Sequence, residues 1–170
     1  VSGCLGDARL ALEVFRGTVD LPGDAFGAVR EAMERPQPRV ALGQALRGVA
    51  SAAIDLSDGL LGDLRHVLKR SEVGATLWLD TIPRSAALAA QPESVQRQCL
   101  LTGGDDYELL FCAPAGAAEQ VRAAGLASGT PVTRIGRIEP AVDGLKVYAA
   151  AQGREPLDLA GWAGFDHFGV

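Results

Sequence analysis

The stretch Val49-Ala50-Ser51-Ala52-Ala53-Ile54-Asp55-Leu56-Ser57-Asp58-Gly59-Leu60-Leu61-Gly62-Asp63-Leu64-Arg65-His66-Val67-Leu68 decides the fold class. Its first six residues are small and mostly apolar, the pattern of a strand buried on both faces. From Leu60 onward, Leu60, Leu61, Leu64, Val67 and Leu68 recur at helical spacing, which predicts a helix over 59–71. Asp55-Leu56-Ser57-Asp58-Gly59 between them is then a strand-to-helix turn. It places two carboxylates and a hydroxyl at the carboxyl end of a strand, where ligand sites of α/β sheets usually lie.

Working outward, Gly74 reads as the stop of that helix, and strands are predicted at 75–79, 107–112, 131–138 and 145–150. Asp143-Gly144 is the turn signal ahead of the last strand. Helices are predicted at 93–101 and 117–124. Upstream, Asp7 stands as an N-cap before a helix over 8–16 that Gly17 ends. A short helix follows at 25–34, Pro36 and Pro38 hold the next segment extended, and another helix covers 42–47. Helices alternating with strands indicate α/β layers around a sheet. The tail from Gly161 to Phe168 fits neither period.

Length and composition narrow the class. The 170 residues make about one ordinary domain. With 48% hydrophobic and 22% charged residues, the chain can bury a core and is not disordered. Sixteen Lys and Arg against 21 Asp and Glu leave a net charge of -5. Without clustered Lys and Arg, a sequence-independent grip on nucleic-acid phosphates is excluded, although an anionic ligand held through metal ions is not. No apolar run approaches the ~18–20 residues that span a bilayer. Cys4, Cys99 and Cys112 are odd in number and lack CxxC spacing, so they read as small apolar residues of a reducing, cytoplasmic setting. The chain opens on Val1 and its one methionine is Met33, which raises the expectation of a longer protein.

Two constellations could carry chemistry. Asp55 and Asp58 offer hard oxygen donors three residues apart, a set suited to Mg²⁺, which takes one or two carboxylates plus phosphates and water. The plainer reading makes Asp55 a strand end and Ser57 or Asp58 a cap for the helix over 59–71. Gly103-Gly104-Asp105-Asp106-Tyr107-Glu108 is the second, with glycines that let backbone approach a ligand closely. Its plainer reading is a glycine helix stop followed by polar turn residues. Two glycine–acid turns in one chain are together consistent with a shared site. Gly164-Phe165-Asp166-His167-Phe168 could stack an aromatic ring on a flat substrate, or simply dock the C-terminus as an apolar plug. His66 and His167 have no partner at metal-ligand spacing. Arg35, Arg39, Arg134 and Arg137 could meet phosphate, but solvated arginines are the simpler reading. No GxxxxGK[ST], GxSxG or HExxH is present, so any phosphate chemistry here proceeds without a P-loop.

Five segments stand in one order: Gly3-Cys4-Leu5-Gly6-Asp7-Ala8, Arg35-Pro36-Gln37-Pro38-Arg39, Asp55-Leu56-Ser57-Asp58-Gly59-Leu60, Gly103-Gly104-Asp105-Asp106-Tyr107-Glu108-Leu109 and Gly164-Phe165-Asp166-His167-Phe168. Together they resemble the thiamine-monophosphate kinases over nearly the whole chain. The wider superfamily includes aminoimidazole ribonucleotide synthetase and selenophosphate synthetase, and the fourth and fifth segments favour the kinase.

The resemblance implies Mg²⁺-dependent, direct in-line transfer of the ATP γ-phosphoryl group to thiamine monophosphate, giving thiamine diphosphate, with no nucleophile on this chain. It makes Asp55 and Asp58 metal ligands to several Mg²⁺ ions and puts Ser57 against ATP. Asp105 stands where many members carry a substrate-contacting glutamate, one methylene longer, and Phe165 matches an aromatic position beside the thiamine. Acidic residues that gather metal ions fit the net charge, because the metals invert the local field.

The resemblance also implies an N-terminal domain with a glycine-rich ATP segment, further acidic ligands and a dimer interface. Residues 1–20 would then be the end of a linker and the first helix, and 21–170 a C-terminal substrate- and metal-binding domain. The implied fold is three-layer α/β/α of the aminoimidazole ribonucleotide synthetase C-terminal type, partly ferredoxin-like. The implied whole is a cytoplasmic homodimer binding neither nucleic acid nor membrane, with this part inactive alone. The competing readings are a non-catalytic ligand-binding module and a sister enzyme acting on another phosphate acceptor.

Overall fold

The computed structural model describes residues 1–160 and Trp162. In chain order the elements are α1 (Asp7–Phe15), α2 (Gly23–Glu34), α3 (Val40–Ala45), β1 (Ala52–Asp55), α4 (Leu60–Ser71), β2 (Val73–Trp78), α5 (Ala86–Ala89), α6 (Glu93–Thr102), β3 (Leu109–Cys112), α7 (Ala118–Ser128), β4 (Gly136–Pro140) and β5 (Leu145–Tyr148). The Phe165 assignment, with the rest of the tail motif, lies outside the described residues.

The apolar stripe of α4 does what its spacing predicts. Leu60, Leu61, Leu64 and Leu68 are buried with Leu10, Leu77, Leu100, Leu101, Leu110 and Val147 in the main core. A smaller cluster, Leu42, Leu46 and Ala124, packs against Leu109, Phe111 and Val121. Side chains alternate across a strand. In β3, Leu110 therefore enters the main core while Leu109 and Phe111 face α3 and α7. Helices thus lie on both sides of β3, the α/β/α arrangement, although the β1 half of the α3 and α7 face stays open.

Pairing is in two sheets. β1 and β3 are antiparallel, with Ile54 opposite Leu110. In the second sheet β2 lies between antiparallel β4 and parallel β5.

Several expected boundaries move. β1 starts at Ala52 and alternates between half-buried and exposed residues, so it is not buried on both faces. It is an edge strand with one neighbour, and its outer residues Ala53 and Asp55 meet solvent. The strand expected at 107–112 begins only at Leu109, because Tyr107 turns with φ 50°. The one expected at 131–138 runs from Gly136 to Pro140. Ahead of it Pro131 has no N–H to give, and Val132 makes only an isolated bridge to Ser2. Gly74 does not end α4 but lies inside β2, and α4 ends at Glu72 in left-handed backbone. Asp7 is the first residue of α1 rather than its cap, and its Oδ1 accepts from Ser85 Oγ at 2.6 Å.

Candidate active site

The two glycine–acid turns form one structure. The Leu56 N–H donates to Glu108 O at 2.9 Å, the Tyr107 N–H to Leu56 O at 2.8 Å and the Asp105 N–H to Ser57 O at 3.0 Å. Backbone thus laces 56–57 to 105–108. Gly104 is required for that approach, since a Cβ there would stand 2.4 Å from Ser57 O. Gly59 passes the end of α6 with φ 101°, and a Cβ would lie 2.9 Å from Thr102 O. Asp105 and Tyr107 hold left-handed φ values of 66° and 50°. That conformation is costly for a residue as bulky as tyrosine, and such strain gathers at binding sites.

Asp63 fixes the first turn from beneath. It is 2% exposed, and its Oδ2 accepts the Ser57 N–H and the Asp58 N–H, each at 3.1 Å. Its own N–H closes on Gly59 O at 2.9 Å. Burial holds its carboxyl above the usual range, against the pull of the N–H donors. The N-cap of α4 is Gly59, with no side-chain cap hydrogen bond. Asp55 and Asp105 are exposed, and Ser57 and Asp58 are half-buried along the same rim.

Residues 11–147 match the family described as AIR synthase related protein, C-terminal domain. The chain belongs to that family. A thiamine-monophosphate kinase of Escherichia coli strain K12 is 38% identical over 172 residues, covering 99% of this chain and 51% of that protein. The crystal structure of a thiamine-monophosphate kinase from Stenotrophomonas maltophilia K279a is similar with a TM-score of 0.80 and 40% identity, over 89% of this chain and 49% of that one. AaThiL, solved in complex with AMPPCP and TMP, gives a TM-score of 0.74 and 28% identity over 98% and 50%. The AIR synthase related domain described here spans about half the length of these relatives.

Within the domain, the wall behind the rim is an ion pair that no local pattern announced. Arg39 grips Glu108 with both ends of its fork, Nε to Oε2 at 2.8 Å and Nη2 to Oε1 at 2.6 Å. Glu108, 6% exposed, also accepts from Ser2 Oγ. Arg39 is therefore not a solvated arginine, and the partners lie 69 residues apart in sequence, beyond any periodicity. Arg134 sits over the Trp78 ring at 5.3 Å and Arg137 pairs with Glu139. Asp106 turns away from the rim, taking the Gly6 N–H on both carboxylate oxygens at 3.0 and 2.8 Å. Burial pushes its carboxyl up to about 8. Asp63 did carry a sequence signal, an acid adjoining the apolar stripe of α4. His66 is exposed, and the three cysteines are free.

A Mg²⁺ ion suits the donors present, because Asp55 and Asp58 are hard oxygen ligands and such an ion needs only one or two carboxylates. Among the described residues no group of three or more His, Cys, Asp or Glu converges to hold a metal. The AIR synthase related domain therefore offers an open set of donors rather than a closed cage. No helix among the described residues is long and apolar enough to cross a membrane.

Proposed function

We propose that this chain is the C-terminal half of a thiamine-monophosphate kinase, transferring the ATP γ-phosphoryl group to thiamine monophosphate and releasing ADP and thiamine diphosphate. The observation that carries the reading is the lacing of the two turns, which brings Asp55, Ser57, Asp58 and Asp105 to one rim. Alignment with such kinases along 99% of the chain supports the same reading. A terminal phosphate oxygen of thiamine monophosphate attacks the γ-phosphorus, and the bond to the ADP oxygen breaks in line. Such a transfer leaves little covalent work to the protein, so positioning and charge neutralisation supply most of the rate.

Asp55 and Asp58 would hold Mg²⁺, and Ser57 would contact ATP. Bound Mg²⁺ supplies the positive charge that two phosphate-bearing ligands require beside an acidic rim. Asp105 would meet the substrate, directly or through a water that fills the missing methylene. Asp63 keeps the Ser57–Asp58 turn in place. In the whole enzyme residues 1–20 would carry the end of the linker and the first helix, 21–170 would form the substrate- and metal-binding domain, and a homodimer would work in the cytoplasm.

The test uses the full-length protein. Asp55→Asn and Asp58→Asn should each lower thiamine-diphosphate formation by about 100-fold, with the melting temperature unchanged and the Mg²⁺ requirement raised. Near-normal rates and Mg²⁺ dependence in both variants would sink the assignment. Thermal-shift measurement with thiamine phosphates against aminoimidazole nucleotides separates the kinase from a sister enzyme.

A further inference from the structure

Along the second turn, Asp105, Asp106 and Tyr107 face outward, inward and outward. Asp106 takes the Gly6 N–H on both carboxylate oxygens, while Asp105 and Tyr107 are exposed. Tyr107 is the one aromatic residue in the laced segments 55–59 and 103–108. It is 41% exposed and belongs to neither apolar cluster, so its ring adds little to the core. Its backbone nevertheless stands at φ 50°, a conformation that glycine or asparagine takes far more readily. Such strain persists only where the surroundings over-determine it. Around Tyr107 they do. Its N–H donates to Leu56 O at 2.8 Å, the Leu56 N–H donates to Glu108 O at 2.9 Å, and the Glu108 carboxylate is gripped by the Arg39 fork.

That fixed backbone lays the phenol ring along the rim. Its hydroxyl stands 3.5 Å from Asp105 Oδ1, at the outer limit of a hydrogen bond, so the ring sits beside the carboxylate without being tied to it. The face of an aromatic ring is negative and attracts a cation lying over it. A neighbouring carboxylate adds attraction of the same sign, and Asp55 and Asp58 on the same rim reinforce it. A flat cation gains from both, whereas a neutral purine gains from stacking alone. Of the two ligands of the proposed reaction, thiamine monophosphate is the one with such a ring, a thiazolium whose quaternary nitrogen is positively charged at neutral pH.

We infer that Tyr107 is a substrate-binding residue that takes the thiazolium ring of thiamine monophosphate on its face, with the Asp105 carboxylate beside it. The inference rests on the kinase reading and adds to it the residue that selects a charged ring. Because the backbone holds the phenol in place before the ligand arrives, little freedom is lost on binding.

Steady-state kinetics on the full-length protein test this. Tyr107→Leu keeps apolar bulk but loses the aromatic face, so it should raise KM for thiamine monophosphate about 10-fold and leave KM for ATP within about twofold. Tyr107→Phe keeps the face and should hold both constants within about twofold of the native values. Tyr107→Asn removes the ring and relieves the strain, so it should raise KM like leucine with the melting temperature unchanged or higher, which separates loss of the ring from loss of folding. Calorimetric binding to the native protein should favour thiamine monophosphate about 10-fold over an analogue with a neutral thiophene in place of the thiazolium, and Tyr107→Leu should shrink that preference. An unchanged KM in both the leucine and asparagine variants overturns the inference, as does equal binding of the charged and neutral rings. A rise in KM for ATP instead would assign the ring to the nucleotide, and an equal loss in Tyr107→Phe would assign the effect to the hydroxyl; either overturns it. If the native full-length protein forms no thiamine diphosphate, the kinase reading falls and this inference with it, whereas native turnover with unaltered variants overturns this inference alone.

Discussion

Asp106 shows how one residue's burial becomes a property of the whole chain. Burial raises its carboxyl to about 8, with the negative charges of Asp7 and Glu108 acting in the same direction and the Gly6 N–H opposing. An unfolded chain releases that proton near the ordinary 3.8, whereas the fold retains it to about 8. The folded state then binds more protons across this interval, so stability falls as pH rises through it. The contribution is complete below about 4 and gone above about 8. Asp7 and Asp63 are also shifted upward by burial and act in the same sense. Glu13 is shifted down, chiefly by its bond from Thr18, and acts at lower pH. Asp106→Asn keeps an acceptor for Gly6 and removes the proton. Urea midpoints measured from pH 4 to pH 8 should fall for the native sequence and fall much less for the variant. Parallel slopes would show that Asp106 is not the group responsible.

At the scale of elements, the Arg39–Glu108 pair joins the start of α3 to the start of β3. The Glu108 side chain is 8% exposed and that of Arg39 26%. Removing the guanidinium leaves a buried carboxylate held, among the described residues, by Ser2, a change that costs about 3 kcal/mol. Arg39→Ala should lower the urea midpoint accordingly. Arg39→Lys, which cannot reproduce the fork, should recover only part of the loss, and full recovery by lysine would show that charge alone matters. No reading of 35–39 reveals this tie, because the sequence shows two prolines and two arginines while the partner lies 69 residues on. What sequence does reveal is local. The α4 stripe and both glycine–acid turns follow from spacing, and so does the expectation that the turns share a site. The start of β4 does not, because Val132 has strand composition but pairs with Ser2 rather than with β2. β1 misleads for a similar reason, since small apolar residues do not tell an edge strand from a central one.

The whole molecule sets the limit on what this chain does alone. The proposed phosphoryl transfer from ATP to a phosphate ester would bring two anionic ligands together, and this chain carries a net charge of -5. Of the four arginines that the sequence offers to offset them, Arg39 is engaged on Glu108, Arg134 on Trp78 and Arg137 on Glu139, while Arg35 is exposed. On the proposed reading, metal ions would supply most of the neutralisation, and Asp55 with Asp58 would fill only part of a hexacoordinate shell. On that reading the remaining donors would include ATP and water, with further protein groups in the whole enzyme. Chain 1–170 should therefore form no thiamine diphosphate above background with saturating ATP and Mg²⁺, while the full-length protein turns over at rates ordinary for a kinase, about 1–100 per second. A coupled assay for ADP release checks both, with Asp58→Asn in the full-length protein as the control for contaminating kinases. Robust turnover by residues 1–170 that Asp58→Asn abolishes in that same chain would mean that the rim is sufficient by itself, and the division of ligands between two halves would have to be abandoned.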